Sequence, residues 1–227
     1  VNKTKIEWAD YTWNPLTGCQ RRCAYCYAQR LAKGRLRMRY LSNPNVAPGC
    51  NPDDPFSPRF WPGRLHEPRK NNNSSKIFVC SMGELFDPSV PDEWIQAVLD
   101  EATFCWWHTF QFLTKQPQRA AQFTFPPNAW VGISVDKYST NCWQRQVHMA
   151  GVKATVRFIS YEPLLSLIPD IPYWADWAII GAMTGPDAIK PKPQWVHQLI
   201  RAADGLGIPL FLKDNLGWPE TRTEWPT

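Results

Sequence analysis

Three thiols fall within eight residues of the stretch TGCQRRCAYCYA, Thr17 to Ala28. They are Cys19, Cys23 and Cys26, spaced C-x3-C-x2-C, with Tyr25 and Tyr27 on either side of the last. The other four cysteines, Cys50, Cys80, Cys105 and Cys142, lie far apart. Thiolates are soft ligands suited to zinc or to iron–sulfur clusters. Structural zinc usually takes four ligands from paired C-x2-C knuckles. Here the second knuckle is missing and the first histidine in the chain is His66. An ordinary cubane takes four cysteines. Three would hold three irons of a [4Fe–4S] cube and leave the fourth open to a ligand, which makes a chemical site rather than a relay. The alternative is a non-catalytic module in which zinc or a plain cluster at these cysteines supports contact with nucleic acid.

The rest of the composition agrees with metal or redox chemistry. Seven cysteines is an odd number, and no charged-then-apolar leader opens the chain. Both facts argue against a disulfide framework. No apolar run nears the ~20 residues of a membrane span, so a cytoplasmic protein without membrane contact is expected. At 227 residues, 44% hydrophobic and 20% charged, the chain reads as one globular domain over 1–227. The net charge of +5 is unevenly placed. No acidic residue occurs between Asp10 and Asp53, a window that holds Arg21, Arg22, Arg30, Lys33, Arg35, Arg37 and Arg39. The remainder has 18 basic against 20 acidic residues. Arg35, Arg37 and Arg39 alternate with Leu36, Met38 and Tyr40, a period of two that predicts an extended segment with one basic face. Aligned guanidiniums suit phosphate, so a nucleotide or nucleic-acid substrate is expected.

These residues must be held by a scaffold, and the chain supplies one in alternating pieces. Residues 76–82, 109–115, 129–135, 155–161, 177–183 and 208–214 are short apolar runs bounded by Pro, Gly or polar residues. They read as strands covered on both faces. DYTWNPLTG, before Cys19, reads as a first strand running into a loop. Helices are predicted at YAQRLAK and over 91–103, 139–150 and 193–205. The order implies right-handed parallel crossovers and an α/β fold, a full or partial (β/α) barrel. No G-x-G-x-x-G follows the first strand, so a dinucleotide fold has no signature here. Residues 42–75 are Pro- and Asn-rich without periodicity, and read as an irregular insertion, a surface excursion or a lid.

With Tyr25 in the aromatic slot, CQRRCAYC resembles the C-x3-C-x-aromatic-C signature of the radical S-adenosylmethionine superfamily. KTKIEWADYTWNP, SMGELFDPSVP, FLTKQPQR, VGISV, RFISYEPLL and FLKDNLGW resemble an uncharacterised, phage-associated family within it. The resemblance implies a [4Fe–4S] cluster on Cys19, Cys23 and Cys26, with S-adenosylmethionine bound to the open iron. An electron from an external flavodoxin- or ferredoxin-type donor would cleave a C–S bond. The resulting 5′-deoxyadenosyl radical would take a hydrogen atom from the substrate.

Cofactor contacts are then expected at the C-terminal ends of the strands. They are Tyr25; Ser81, Gly83 and Glu84 toward the amino group; Lys115 toward the carboxylate or an anionic substrate; and Ser134, Ser160, Glu162 and Gly181. Where the resembling family carries Gly-Gly-Glu-Ser-Gly, this chain has Gly181-Ala182-Met183-Thr184-Gly185, without the acid. Cys80 and Cys105 read as core. Trp61, Trp106 and Trp107 are candidates to stack on a flat substrate.

Overall fold

β-Branched and aromatic runs too short for helices become a mostly parallel main sheet, and the amphipathic stretches between them become its cover. The computed structural model describes residues 1–227. Its elements are β1 (Asn2–Lys3), β2 (Tyr11–Trp13), β3 (Leu16–Thr17), α1 (Tyr27–Lys33), α2 (Arg37–Leu41), β4 (Arg59–Phe60) and β5 (Lys76–Val79). Then come α3 (Asp92–Phe104), β6 (Thr109–Thr114), α4 (Pro117–Ala120), β7 (Ala129–Ser134), α5 (Thr140–Ala150) and β8 (Val156–Tyr161). The last are β9 (Trp177–Ile180), α6 (Pro193–Leu206) and β10 (Leu210–Leu212). The main sheet has eight strands in the order β1-β2-β5-β6-β7-β8-β9-β10. Every neighbouring pair is parallel except β1 with β2. β3 and β4 form a separate antiparallel pair. No helix is long and apolar enough to cross a membrane.

Strand periodicity sorts the side chains onto two faces. Phe110, Phe112, Val131, Ile133, Ile159, Tyr161, Ala178, Ile180, Leu210 and Leu212 join the helices in the main core of 41 buried residues. The other face carries Phe78, Val156, Phe158, Trp177, Ile179 and Phe211 in a smaller aromatic cluster with Trp8. Trp225, near the chain's end, stacks on Trp177. Toward the C-terminal strand ends this second face turns polar, through Ser134, Ser160 and Lys213. That gradient leaves one end of the sheet fit for a ligand and seals the other.

Local signals act as expected in several places. The Ser139 hydroxyl caps α5, accepting from the Cys142 N–H. Gly207, at φ 66°, ends α6 in the left-handed region. The strands are shorter than the sequence suggests, because their last residues turn over to form site loops. DYTWNPLTG divides into β2 and β3.

Two expectations are overturned. Arg35–Tyr40 is no extended segment: residues 37–41 are helical. Tyr40 is buried with Ala28, Ala32 and Phe56, and this anchor outweighs the alternating pattern. Trp106 and Trp107 precede β6, at the N-terminal end of a parallel strand and away from the site end. Trp107 donates from Nε1 to the Asn71 carbonyl. Trp61 donates to the Thr17 hydroxyl at 2.8 Å and packs under Arg64. All three therefore have structural partners or positions rather than a free stacking face at the site.

The insertion 42–75 is a packed brace. Arg59, 1% exposed, donates to the carbonyls of Asn43 (2.6 Å), Asp54 (3.1 Å) and Pro52. Glu101 of α3 binds Arg69 through both oxygens and meets His66, pinning the far end. Replacing Arg59 with Met leaves those buried carbonyls unpaired and is expected to cost about 3 kcal/mol. A fall in the urea midpoint with an unchanged slope would show it.

Candidate functional site

The cysteine loop begins where β3 ends and sits on the turn after β5. Gly18 and Gly83 form a parallel backbone bridge. Gly18 donates to the Met82 carbonyl (2.9 Å), and Glu84 donates back to Gly18 (3.0 Å). A Cβ on Gly83 would lie 2.7 Å from the Gly18 oxygen. One on Gly18, whose φ is +91°, would lie 2.3 Å from the Ser57 oxygen. Three backbone segments meet here at a distance no side chain permits. Cys19 N–H binds the Phe56 carbonyl at 2.9 Å, and Gln20 N–H binds Asp87 at 2.8 Å. Arg22 holds a left-handed φ of 51° and pairs with Asp54 at 2.6 Å. The insertion and the turn after β5 together fix the loop's path.

The sulfurs have few partners. Cys19 Sγ accepts from the Arg21 N–H at 3.3 Å, and Cys26 Sγ caps α1, accepting from the Gln29 N–H at 3.4 Å. Lys115 Nζ stands 4.0 Å from Cys23 Sγ. Burial, then the nearby Glu84, pushes the Cys19 thiol up to about 12. Burial also raises Cys26, against the opposing N–H groups of Gln29 and Ala28. Without a cation these two thiols hold their protons, so metal uptake must displace them. All seven cysteines are free thiols.

A single tetrahedral ion asks for four ligands around one point. No group of three or more His, Cys, Asp or Glu side chains, the three cysteines included, is gathered closely enough to hold a metal ion. A cluster asks for one thiolate at each of several separate irons, and three thiols on a braced loop fit that demand in number and chemistry. The Ser160 hydroxyl is fully buried and is one of six buried side-chain polar atoms without a hydrogen-bond partner.

The other sequence candidates take definite places. Tyr25, beside Cys26, hydrogen-bonds Asp136 and receives Lys115, whose ammonium also lies 4.8 Å from the ring centre. Lys115 reaches Asp136 at 3.3 Å, so it belongs to a network and is no free rim charge. Burial alone would raise Asp136; Lys115, the Tyr25 hydroxyl and Arg145 outweigh it and hold the carboxyl at about 2. Burial and then Asp136 drive Tyr25 up, so it stays a neutral phenol.

Glu84 is 7% exposed and uses both oxygens internally, accepting from Thr114 Oγ1 (2.7 Å), Lys115 N–H (2.8 Å) and Phe86 N–H (3.2 Å). Burial raises it in spite of these donors. Gly83 faces Gly18. Both residues expected at a ligand's amino group thus serve first to seat the cysteine loop. Ser81 lies 3.3 Å from Asn14 Oδ1, and its carbonyl accepts the Tyr27 hydroxyl.

Ser134 and Ser160 are register partners across β7 and β8. Ser134 Oγ is 3.4 Å from the Glu162 carbonyl. Glu162 pairs with Lys213 at 2.5 Å, and Gly181 leaves them room: a Cβ there would lie 2.9 Å from Lys213 Cδ and 3.0 Å from Glu162 Cδ. The strand ends therefore gather Ser134, Ser160, Glu162, Gly181 and Lys213 in one place, with Cys23, Tyr25 and Lys115 joined through Asp136.

Sequence reasoning missed Asp136, Asp87 and Arg145. Asp136 stands two residues past the Ser134 strand end, and a carboxylate at such an end was the available signal. Asp87 acts on the backbone of Gln20, which no spacing reveals. Arg145, in mid-helix, reaches the Ser134 carbonyl at 2.6 Å and the Cys142 sulfur at 2.8 Å.

The chain belongs to a family whose model matches residues 3–225 and is described as "Protein of unknown function (DUF5131)". No curated protein and no solved structure matches it. The family match corrects the recognition drawn from the cysteine motif. The model that covers the chain is that of DUF5131, and none of the radical S-adenosylmethionine superfamily matches.

Asp136 gives a pH test. Its carboxyl is depressed in the folded state, so its contribution is present above about pH 4 and lost as pH falls toward 2. The wild type should exceed Asp136→Asn by up to about 2 kcal/mol at pH 6. Urea midpoints for the two proteins should converge by about pH 2.

Proposed function

We propose that Cys19, Cys23 and Cys26 hold a [4Fe–4S] cluster with one open iron, and that the protein uses it to cleave S-adenosylmethionine reductively and oxidise a substrate C–H bond. The observation that carries this is the seating of three free thiols, with no fourth cysteine on their loop, beside the polar ends of parallel strands. The finer reading of the fold is a partial (β/α) barrel. It is supported by strands β2 and β5 to β10 lying side by side in chain order. A free-thiol cluster site suits the cytoplasm, where thiols stay reduced.

When bound, the cluster would supply one electron from a reduced flavodoxin- or ferredoxin-type donor for reductive cleavage of S-adenosylmethionine to methionine and 5′-deoxyadenosine, the hydrogen coming from the substrate and leaving a carbon-centred substrate radical. The chain's own residues do the rest. Backbone N–H groups of Arg21 and Gln29 hydrogen-bond the sulfurs of Cys19 and Cys26 and stabilise them as thiolates. Lys115 brings positive charge to Cys23, and Asp136 with Tyr25 fixes where that charge sits. Ser160, with an unsatisfied hydroxyl, and Ser134 offer hydrogen bonds to the sugar or carboxylate of S-adenosylmethionine. Lys213, held by Glu162, packs over Gly181 beside these serines.

Anaerobic reconstitution should give brown protein with about four iron and four sulfide per chain. Dithionite and S-adenosylmethionine should then yield 5′-deoxyadenosine, and serine at any of the three cysteines should abolish both. Colourless protein containing zinc would favour the non-catalytic module and overturn the enzyme.

A further inference from the structure

The acid-free window of the sequence becomes a continuous problem of like charge in three dimensions. Of its seven cations only Arg22 forms an ion pair, with Asp54. Arg21, Arg30, Lys33, Arg35, Arg37 and Arg39 are exposed on the cysteine loop, α1, α2 and the turn between them, with no carboxylate partner. Elsewhere in the chain seven of the eighteen cations, Arg69, Lys115, Arg119, Arg145, Arg157, Lys213 and Arg222, are paired. A cluster bound by three thiolates carries a small net negative charge. That charge offsets the cations of its own loop but falls short of six.

The same surface leads into a cleft of about 320 Å³ whose lining includes no hydrophobic residue. Arg21 forms one side; Gln116 before α4, Gln118 in α4, and Asn141 and Gln144 of α5 bring amides; Lys115 and Arg145 add two cations. One carboxylate, Asp136, neutralises part of that charge, contacting Lys115 at 3.3 Å and Arg145 at 3.6 Å. Lys115 connects the cleft with the cysteines, since its ammonium lies 4.0 Å from Cys23 Sγ. Cations with neutral amides, and no apolar wall, suit phosphodiester oxygens. Five further exposed cations without a carboxylate partner, on α1, α2 and the turn between them, suit a chain of them.

We propose that the substrate presented to the cysteine loop is a nucleic-acid strand. Its backbone lies along the cysteine loop, α1 and α2, with one phosphate in the cleft between α4 and α5. This rests on the cysteine loop being the reacting centre, and it names the substrate class that the reaction leaves open. The repulsion among the six cations is what a bound polyanion relieves, and a mononucleotide would engage only the cleft.

The test is fluorescence anisotropy with a labelled single-stranded oligonucleotide, an unlabelled duplex as competitor, and a nucleoside monophosphate as a second competitor. If each of the six cations neutralises one phosphate, log affinity should fall against log salt with a slope of about −4. Arg35→Gln/Arg37→Gln/Arg39→Gln should make that slope shallower by about 2. Gln144→Glu, on an exposed turn of α5, should weaken binding several-fold without unfolding the protein, checked by circular dichroism. Either single strand or duplex as the tighter ligand supports the proposal and identifies the form. A flat salt response, a slope unchanged in the triple variant, or equal displacement by the monophosphate overturns it. Binding lost while 5′-deoxyadenosine is still produced would remove this substrate and keep the reaction. Binding retained with no cleavage of S-adenosylmethionine would do the reverse.

Discussion

Two glycines set the geometry on which the site depends. Gly18 and Gly83 touch backbone to backbone, with a third strand of main chain at Ser57 pressed against Gly18. The contact ties a short antiparallel pair, a long insertion and the main sheet into one joint, and the cysteine loop hangs from it. Hydrogen bonds from Gly18, Cys19, Gln20 and Glu84 leave the loop little freedom before Cys23. The thiols are positioned by main chain, and their side chains stay available.

Charge is arranged on the same plan. The buried carboxyl of Glu84 faces inward and keeps its donors, whereas Asp136 draws Lys115, Tyr25 and Arg145 into one cluster at the edge of the cysteines. Burial raises the thiols of Cys19 and Cys26 and the phenol of Tyr25, and would raise both acids. Only Asp136 escapes, because two cations and a hydroxyl face it at close range. The result is a region whose neutral form is a set of protonated thiols beside a fixed cation. It becomes anionic when those protons leave.

Much of this was legible in the chain. The cysteine spacing is local, and the helices announce themselves through caps and stripes, as Ser139 and Gly207 do. The sheet follows from apolar runs that carry their own boundaries. What could not be read is whatever rests on distance along the chain. Arg35 to Tyr40 alternates like a strand, yet Tyr40 finds a pocket on α1 and the segment coils. Residues 42–75 lack any period because their order comes from Arg59, which gathers carbonyls within the insertion, and Arg69, which grips Glu101 of α3. Gly83 and Glu84 sit at a strand end, as ligand-binding residues would, but their neighbours are Gly18 and Lys115. The superfamily recognition drawn from the cysteine motif fails, since the family match runs to DUF5131 over nearly the whole chain.

The borders of the main sheet carry one more consequence. β1 is only two residues long, and the free side of β10 is taken by the chain's own later residues: Leu212 donates to the Arg222 carbonyl at 2.7 Å and Glu224 to that of Leu210 at 3.1 Å. On the β10 side no row of bare amides is left for a neighbour, so a second copy finds no template there for adding strand to strand.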